Sequence, residues 1–336
     1  MEESKTYKAY EVRELDDKTY KGNIAEKKLR ELPFRGVLIR VYYTSLNYKD
    51  ALSSIGNKGV TKQYPFTPGV DAAGVVAKSE DPNFKEGDRV FVTGFDLGMN
   101  TPGGLGEFVS TPSDWVFKLP DNISFRDVMM YGTAGLTAGL SIKRIIDEGV
   151  NPSDDKDVVV SGASGGVGSI SVCLLSKIGF NVTAVTNKPD FKDILLKVGA
   201  KNVIPRSEVD DKKNKPLLSS KWDAAIDTVG GNILSTILKS IKRYGCVSAC
   251  GNAASYELNT TVFPFILRGI TLCGIDSAEC PREIRQKVWD RLFNEWNALD
   301  TLNLINKEIT LEEVDTYLKA MLSGKNKGHI IVKHRQ

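Results

Sequence analysis

Asp157-Val-Val-Val-Ser-Gly-Ala-Ser-Gly-Gly-Val-Gly-Ser169 reads as an apolar strand that runs into a glycine-rich turn and then into an apolar helix. Residues 163–168 fit the G-x-G-x-x-G pattern with Ala163 in the first place, followed by Gly165 and Gly168. Small residues are needed there so that backbone N–H groups at a helix N-terminus can approach a pyrophosphate. Ser164, Gly165, Gly166 and Val167 are the residues whose backbone would make that approach. A tight strand-to-helix turn would give the same string. The surroundings favour the dinucleotide reading, because strand and helix runs alternate through 157–161, 166–178, 181–186, 190–198, 202–205, 222–227, 231–243, 245–250 and 270–274. That rhythm predicts a doubly wound parallel sheet, the Rossmann arrangement.

The next strand, Asn181–Val185, ends in Thr186-Asn187-Lys188. An NAD site normally has Asp or Glu at this tip for the ribose 2′-hydroxyl. A hydroxyl, an amide and an ammonium suit a 2′-phosphate instead, and Arg206, just past the third strand, can add a guanidinium. The expected cofactor is therefore NADPH, although Lys188 and Arg206 taken singly also read as solvated surface charges.

Outside this region the pattern changes. Gly36–Tyr43, Ala73–Ala77, Asp88–Thr93 and Glu107–Ser110 are short β-type runs bounded by Gly, Pro and Asp, which predicts a compact, mostly antiparallel barrel. Asp127–Ile146 reads as a helix, a later helix carries Trp289 and Trp296, and the chain closes on the strand His329–Lys333. A lone last strand needs a partner, so the expected organisation is a discontinuous domain, 1–127 plus 278–336, around a nucleotide-binding domain, 128–277.

Composition narrows the function classes. In 336 residues, 45 basic and 42 acidic side chains leave a net charge of +3, with no footprint for nucleic acid. The N-terminal residues lack the apolar core of a signal peptide and no stretch approaches a membrane span, so a cytoplasmic protein is expected. Five cysteines read as reduced thiols; Cys246 and Cys250, four residues apart on one strand, are about 13 Å from each other. Only two histidines occur, His329 and His334, which leaves little for a His-based dyad or a zinc site.

Several segments together resemble the medium-chain dehydrogenase/reductases, and within them the zinc-independent quinone oxidoreductase branch of YhdH/YhfP type. They are Ser45-Leu-Asn-Tyr-Lys-Asp50, Pro68-Gly-Val-Asp-Ala-Ala-Gly74, Tyr131-Gly-Thr-Ala-Gly-Leu-Thr-Ala138, Ala225-Ile-Asp-Thr-Val-Gly230, Pro264-Phe-Ile-Leu-Arg268 and Gly274-Ile-Asp-Ser277. The resemblance spans essentially the whole chain and implies a GroES-like, mostly antiparallel β-barrel domain beside the Rossmann domain. Zinc-dependent relatives carry Cys-His, Gly-His-Glu and a further Cys where this chain has Asn47-Tyr48, Gly69-Val70-Asp71 and Gly132. No cysteine falls in 84–120, where the structural zinc lobe would be. The resemblance thus implies no metal. Without a Lewis acid, an unactivated alcohol loses its alkoxide stabilisation. The expected reaction is hydride delivery to an activated acceptor: an α,β-unsaturated thioester such as acryloyl-CoA, or alternatively a quinone or enone.

By the same resemblance Tyr48 lies in the cleft, contacting cofactor and able to donate a proton, against the plainer reading of a packing tyrosine on a strand-end loop. Asn47 reads either as a loop-holding Asx residue or as a substrate contact, and Asp71 equally as a cleft acid or a turn former. Thr133 and Thr137 resemble positions near the nicotinamide, or are hydroxyls bonded back into their own helix. Asn252, Ile266 and Ser277 line the nicotinamide half by resemblance. Lys49, Lys143, Arg268 and Arg282 are candidate contacts for CoA phosphates. Members of the group are commonly homodimers; some relatives bind NADPH without catalysis or bind RNA. A short-chain dehydrogenase is discarded, because none of the 11 tyrosines has Lys four positions later.

Overall fold

In the computed structural model, which describes residues 5–152 and 155–335, Asp157–Val160 is a central strand of a six-stranded parallel sheet. The strand order across that sheet is Asn202–Ile204, Asn181–Val185, Asp157–Val160, Trp222–Asp227, Ile241–Ala249, Thr271–Gly274. Numbered along the chain this is 3-2-1-4-5-6, the Rossmann order, with its switch point beside the first strand. Val158, Val159 and Val160 are all buried, as a strand covered on both faces requires. Ile233, Ile237 and Leu238 from helix Gly231–Ser240 pack against Val159, Ala225 and Val247 of the sheet. That helix is shorter than the expected 231–243. The chain instead enters the next strand at Ile241, which makes a nine-residue strand, Ile241–Ala249.

The other sheet is mostly antiparallel. Val37–Leu46 is its centre, flanked by Asp71–Ser79 on one side and by the last strand, His329–Lys333, on the other, with Phe108–Thr111 also pairing to it. Arg89–Thr93 and Phe117–Lys118 extend one side, and Asn306–Thr310 pairs in parallel with His329–Lys333 on the other. Val37, Ile39 and Val41 alternate along their strand and meet Val76, Val90 and Val92 in one apolar cluster. Gly74 is required at the crossing: a Cβ there would lie 1.9 Å from the Arg40 carbonyl oxygen. A hairpin, Thr6–Glu14 with Tyr20–Lys28, completes this part. Its second strand has four charged residues among nine and no buried one, which hid it from a reading by apolar runs.

The chain divides into two compact units, Met1–Thr133 with Ala278–Arg282 and Asn306–Gln336, and Ala134–Ser277 with Glu283–Ile305. Residues 283–305 thus differ from the expected assignment and belong with the parallel sheet. Helix Arg282–Phe293 buries Val288, Trp289 and Leu292. Gly139 makes that packing possible, since a Cβ there would sit 2.5 Å from Val288 Cγ1. No helix among the described residues is long and apolar enough to cross a membrane.

Candidate active site

The glycine-rich turn and the residues past it form one pocket in the second unit. Helix Gly166–Lys177 begins on Gly165 with no side-chain cap, so its first N–H groups stay available. Gly168 allows the helix to close onto the turn, because a Cβ would meet the Gly162 carbonyl oxygen at 2.3 Å. Ser164, Thr186, Asn187, Lys188 and Arg206 line one cavity of about 170 Å³ together with Ser161, Gly162, Val185, Val229 and Ile233. Thr186 Oγ1 donates to Ser164 Oγ (2.9 Å) and accepts from the Lys188 N–H (3.1 Å). Asn187 Oδ1 accepts the Arg206 N–H at 2.9 Å, joining the tips of the second and third strands. The lining contains two cations, hydroxyls and an amide, and no carboxylate.

Asp227, which the sequence reading did not single out, holds Ser161 of this lining in place. It is buried at the end of its strand, accepts Ser161 Oγ (2.6 Å) and the Gly230 N–H (2.7 Å), and its carboxyl is pushed up by burial. Ser161 Oγ in turn accepts the Thr228 N–H at 3.0 Å. Asn252 and Gly274, at the carboxyl ends of the last two strands, line a second cavity with Gly230 and Tyr256. Thr137 Oγ1 donates to Ser277 Oγ at 2.8 Å. Ile266 is 68% exposed on the short helix Phe263–Arg268.

In the first unit the centre is Asp71. It is a strand residue, fully buried, and not a turn former. Its oxygens accept the Asn47 Nδ2 (2.8 Å), the Thr133 N–H (3.0 and 3.1 Å), Thr133 Oγ1 (2.5 Å) and Ser45 Oγ. Burial raises the Asp71 carboxyl above the ordinary range, and the hydroxyl and amide donors pull against it. Thr133 reaches Asp71 because helix Phe125–Asp147 breaks at Gly132, whose φ is 53° and ψ −158°. A side chain at 132 would also collide with Ser45 Oγ at 2.3 Å.

A second buried carboxylate, Asp50, stands behind the first. Asn47 caps helix Tyr48–Ser54 and Asp50 returns the bond to the Asn47 N–H at 2.7 Å, a capping box. Asp50 also accepts the Gly69 and Val70 N–H groups at 3.0 and 3.1 Å. Its carboxyl is pushed up to about 7, mainly by burial and further by the neighbouring Asp71. The Asn-x-x-Asp spacing is the signal in the sequence that could have found this residue. Tyr48 is therefore the first residue of a helix, not part of a loop, and is 47% exposed.

The donor set does not fit a zinc ion. Asn47 is engaged with Asp71, Val70 is an apolar buried residue, and Gly132 offers only backbone. Among the described residues no group of three or more His, Cys, Asp or Glu could hold a metal. All five cysteines are free thiols, and Cys246 lies 3.8 Å (Sγ to Sγ) from Cys273 on the adjacent strand. Arg268 and Arg282 already hold backbone carbonyls. Arg268 binds the carbonyls of Lys239, Ile241 and Leu218, and Arg282 those of Asp114 and Val116. Lys143 pairs with Asp147, while Lys49 stands beside Tyr48 with Nζ 3.7 Å from Met99 Sδ.

Both histidines are buried, which pushes each down to about 4. A folded-state value below the unfolded one stabilises fully above pH 6.5, and that stability is lost as pH falls towards 4. Asp50, raised in the folded state, works in the opposite direction: its contribution is present below the ordinary carboxylate value and lost as pH rises towards 7. Replacing one imidazole isolates its share. Between pH 7 and pH 5 the wild type should lose about 2 kcal/mol more unfolding free energy than His334→Gln. Parallel denaturation curves for the two proteins at both pH values would contradict this.

Two family models match the chain, one described as zinc-binding dehydrogenase over residues 166–294 and one as alcohol dehydrogenase GroES-like domain over 35–121. The chain belongs to the medium-chain dehydrogenase/reductase superfamily. Within it the chain is 42% identical to YhfP of Bacillus subtilis, provisionally named a quinone oxidoreductase, over 90% of this chain and 92% of that protein. A crystal structure of Bacillus subtilis yhfP with NAD bound superposes with a TM-score of 0.94 at 40% identity, covering 98% of this chain and 100% of that one. Acrylyl-CoA reductase AcuI of Ruegeria pomeroyi is 35% identical over 96% of this chain and 97% of its own length. The yhdH oxidoreductase of Salmonella enterica in complex with NADP superposes with a TM-score of 0.93 at 38% identity, covering 98% of this chain and 100% of that one.

Proposed function

We propose that this chain is a zinc-independent, NADPH-dependent reductase that delivers hydride to an α,β-unsaturated thioester such as acryloyl-CoA. The observation that carries the reading is what stands where zinc-dependent relatives carry ligands: Asn47, whose amide is engaged by Asp71, apolar Val70, and Gly132, which offers only backbone. Such a site offers no Lewis acid for an alkoxide, so the acceptor must bring its own electrophilicity. Likeness over nearly the whole length to an acrylyl-CoA reductase supports the thioester as that acceptor. A quinone or enone is the second reading, favoured by the provisional name of the Bacillus relative.

The bound cofactor would supply the hydride. Ser164, Gly165, Gly166 and Val167 would hold its pyrophosphate through backbone N–H groups. Thr186, Asn187, Lys188 and Arg206 would hold the 2′-phosphate, and Asn252, Ile266 and Ser277, with Thr133, the nicotinamide half. Tyr48 would contact the cofactor and donate a proton to the reduced acceptor. Asn47 and Asp71 would act through the network that seats the start of helix Tyr48–Ser54.

The test is NADPH oxidation at 340 nm with acryloyl-CoA and a benzoquinone compared, NADH as control cofactor and chelator present. Preference for acryloyl-CoA is the expected result; preference for the quinone selects the second reading, and activity lost to chelator overturns both. Tyr48→Phe should then lower kcat about tenfold or more with the NADPH dissociation constant nearly unchanged. An unchanged kcat would remove Tyr48 from proton transfer.

We further propose a cytoplasmic homodimer. Thr271–Gly274 is an open sheet edge, and beside it Val262, Phe263, Ile266 and Leu267 are exposed. Sedimentation equilibrium should return twice the 36.9 kDa chain mass; a monomer mass would refute the pairing.

A further inference from the structure

His329 is buried, and the reduction scheme above assigns it nothing. On the antiparallel pair, Ile330 lies opposite Leu46 and Ile331 opposite Ser45. Opposed residues project to the same face, so His329, two positions from Ile331, projects to the face where Ser45 meets Asp71 and comes level with Asn47. On its other side it pairs with Asn306.

The hydrogen bonds run in one direction. Asn306 Nδ2 donates to the Met130 carbonyl (3.4 Å), which orients the amide so that Oδ1 faces His329 Nδ1 at 2.9 Å. His329 must then carry its proton on Nδ1. Its Nε2 is buried without a partner, and a bare lone pair is tolerated there better than an orphan N–H. Met130 stands two residues before the break at Gly132, and Thr133, one residue after it, gives its N–H to Asp71. The broken helix is therefore held from both sides, by Asp71 after the break and by Asn306 before it.

We propose that His329 is a positioning residue which, through Asn306 and Met130, fixes the Gly132 break and so holds Thr133 on Asp71 for the reaction. The catalytic part of this statement rests on the reductase reading; the structural part does not. His334 provides an internal contrast, since its Nε2 faces the Gly104 carbonyl at 2.9 Å and must carry the proton there.

With only two histidines in the chain, ¹⁵N-histidine labelling of the intact protein reads both rings. Nδ1–H is expected at His329 and Nε2–H at His334; Nε2–H at His329 would overturn the proposal. In His329→Leu, amide exchange over residues 130–136 should speed up at least tenfold. Its kcat should drop about tenfold with the NADPH dissociation constant within twofold of wild type. His329→Gln, which keeps a donor for Asn306, should recover kcat to within threefold. Wild-type exchange rates in His329→Leu, or equal impairment of both variants, would overturn the proposal. Absence of any NADPH-dependent turnover in the wild type would instead defeat the reductase reading, and the tautomer and exchange results would still decide the positioning role.

Discussion

Lys188→Glu combined with Arg206→Glu should lower kcat/KM for NADPH by about a thousandfold and leave that for NADH within about threefold. Both residues line the cavity beyond the glycine-rich turn, with Thr186, Asn187 and Ser164 beside them. A charge-assisted hydrogen bond to phosphate contributes roughly 2 kcal/mol, and two of them give about 4 kcal/mol, or three decades. Replacing cations with carboxylates adds repulsion towards a 2′-phosphate but none towards a 2′-hydroxyl, which a carboxylate grips well. Calorimetry with 2′,5′-ADP and 5′-AMP measures the same discrimination without turnover. Equal losses for both cofactors would show that these cations do not read the 2′ position. The comparison matters because NADP is bound in the Salmonella relative and NAD in the Bacillus one.

The second large effect concerns Asp71. Asp71→Ala leaves Asn47 Nδ2, the Thr133 N–H and the hydroxyls of Thr133 and Ser45 facing an empty position inside the first unit. Hydroxyls can turn to other acceptors; the Thr133 N–H is fixed by the backbone and Asn47 Nδ2 keeps only the Ser45 carbonyl at 3.4 Å, so two part-buried donors lose their main acceptor at roughly 1–3 kcal/mol each. A loss of about 3–5 kcal/mol is expected, seen as a fall of roughly 10 °C in the melting of that unit. Asp71→Asn should lose about half as much, since one oxygen remains for Thr133 while the new amide group opposes that of Asn47. A melting curve for Asp71→Ala that overlays the wild type would mean that the network contributes nothing to stability.

Much of the fold was legible because its signals are local. The Val158–Val160 run followed by small residues can only be a buried strand entering a tight turn, and the alternation after it prescribes a parallel sheet. The absent acid after Asn181–Val185 was legible for the same reason, since strand and tip are contiguous. Asp50 was half legible, through the capping-box spacing to Asn47. The charged strand Tyr20–Lys28 carried no apolar signal, and the placement of 283–305 depends on Gly139 meeting Val288 across the fold.

The sequence by itself thus determined the two architectures, the glycine-rich turn, the basic tips of the second and third strands and the lack of metal ligands, all properties of contiguous residues. Only the tertiary structure decided that Ser45, Asn47, Asp71 and Thr133 form one network, that Arg268 and Arg282 are engaged by backbone carbonyls, and that His329 bonds Asn306, which in turn bonds the Met130 carbonyl. Those facts depend on strand register and on a helix that breaks where a side chain would collide. Register is set by the packing of whole sheets, which no short stretch of sequence contains.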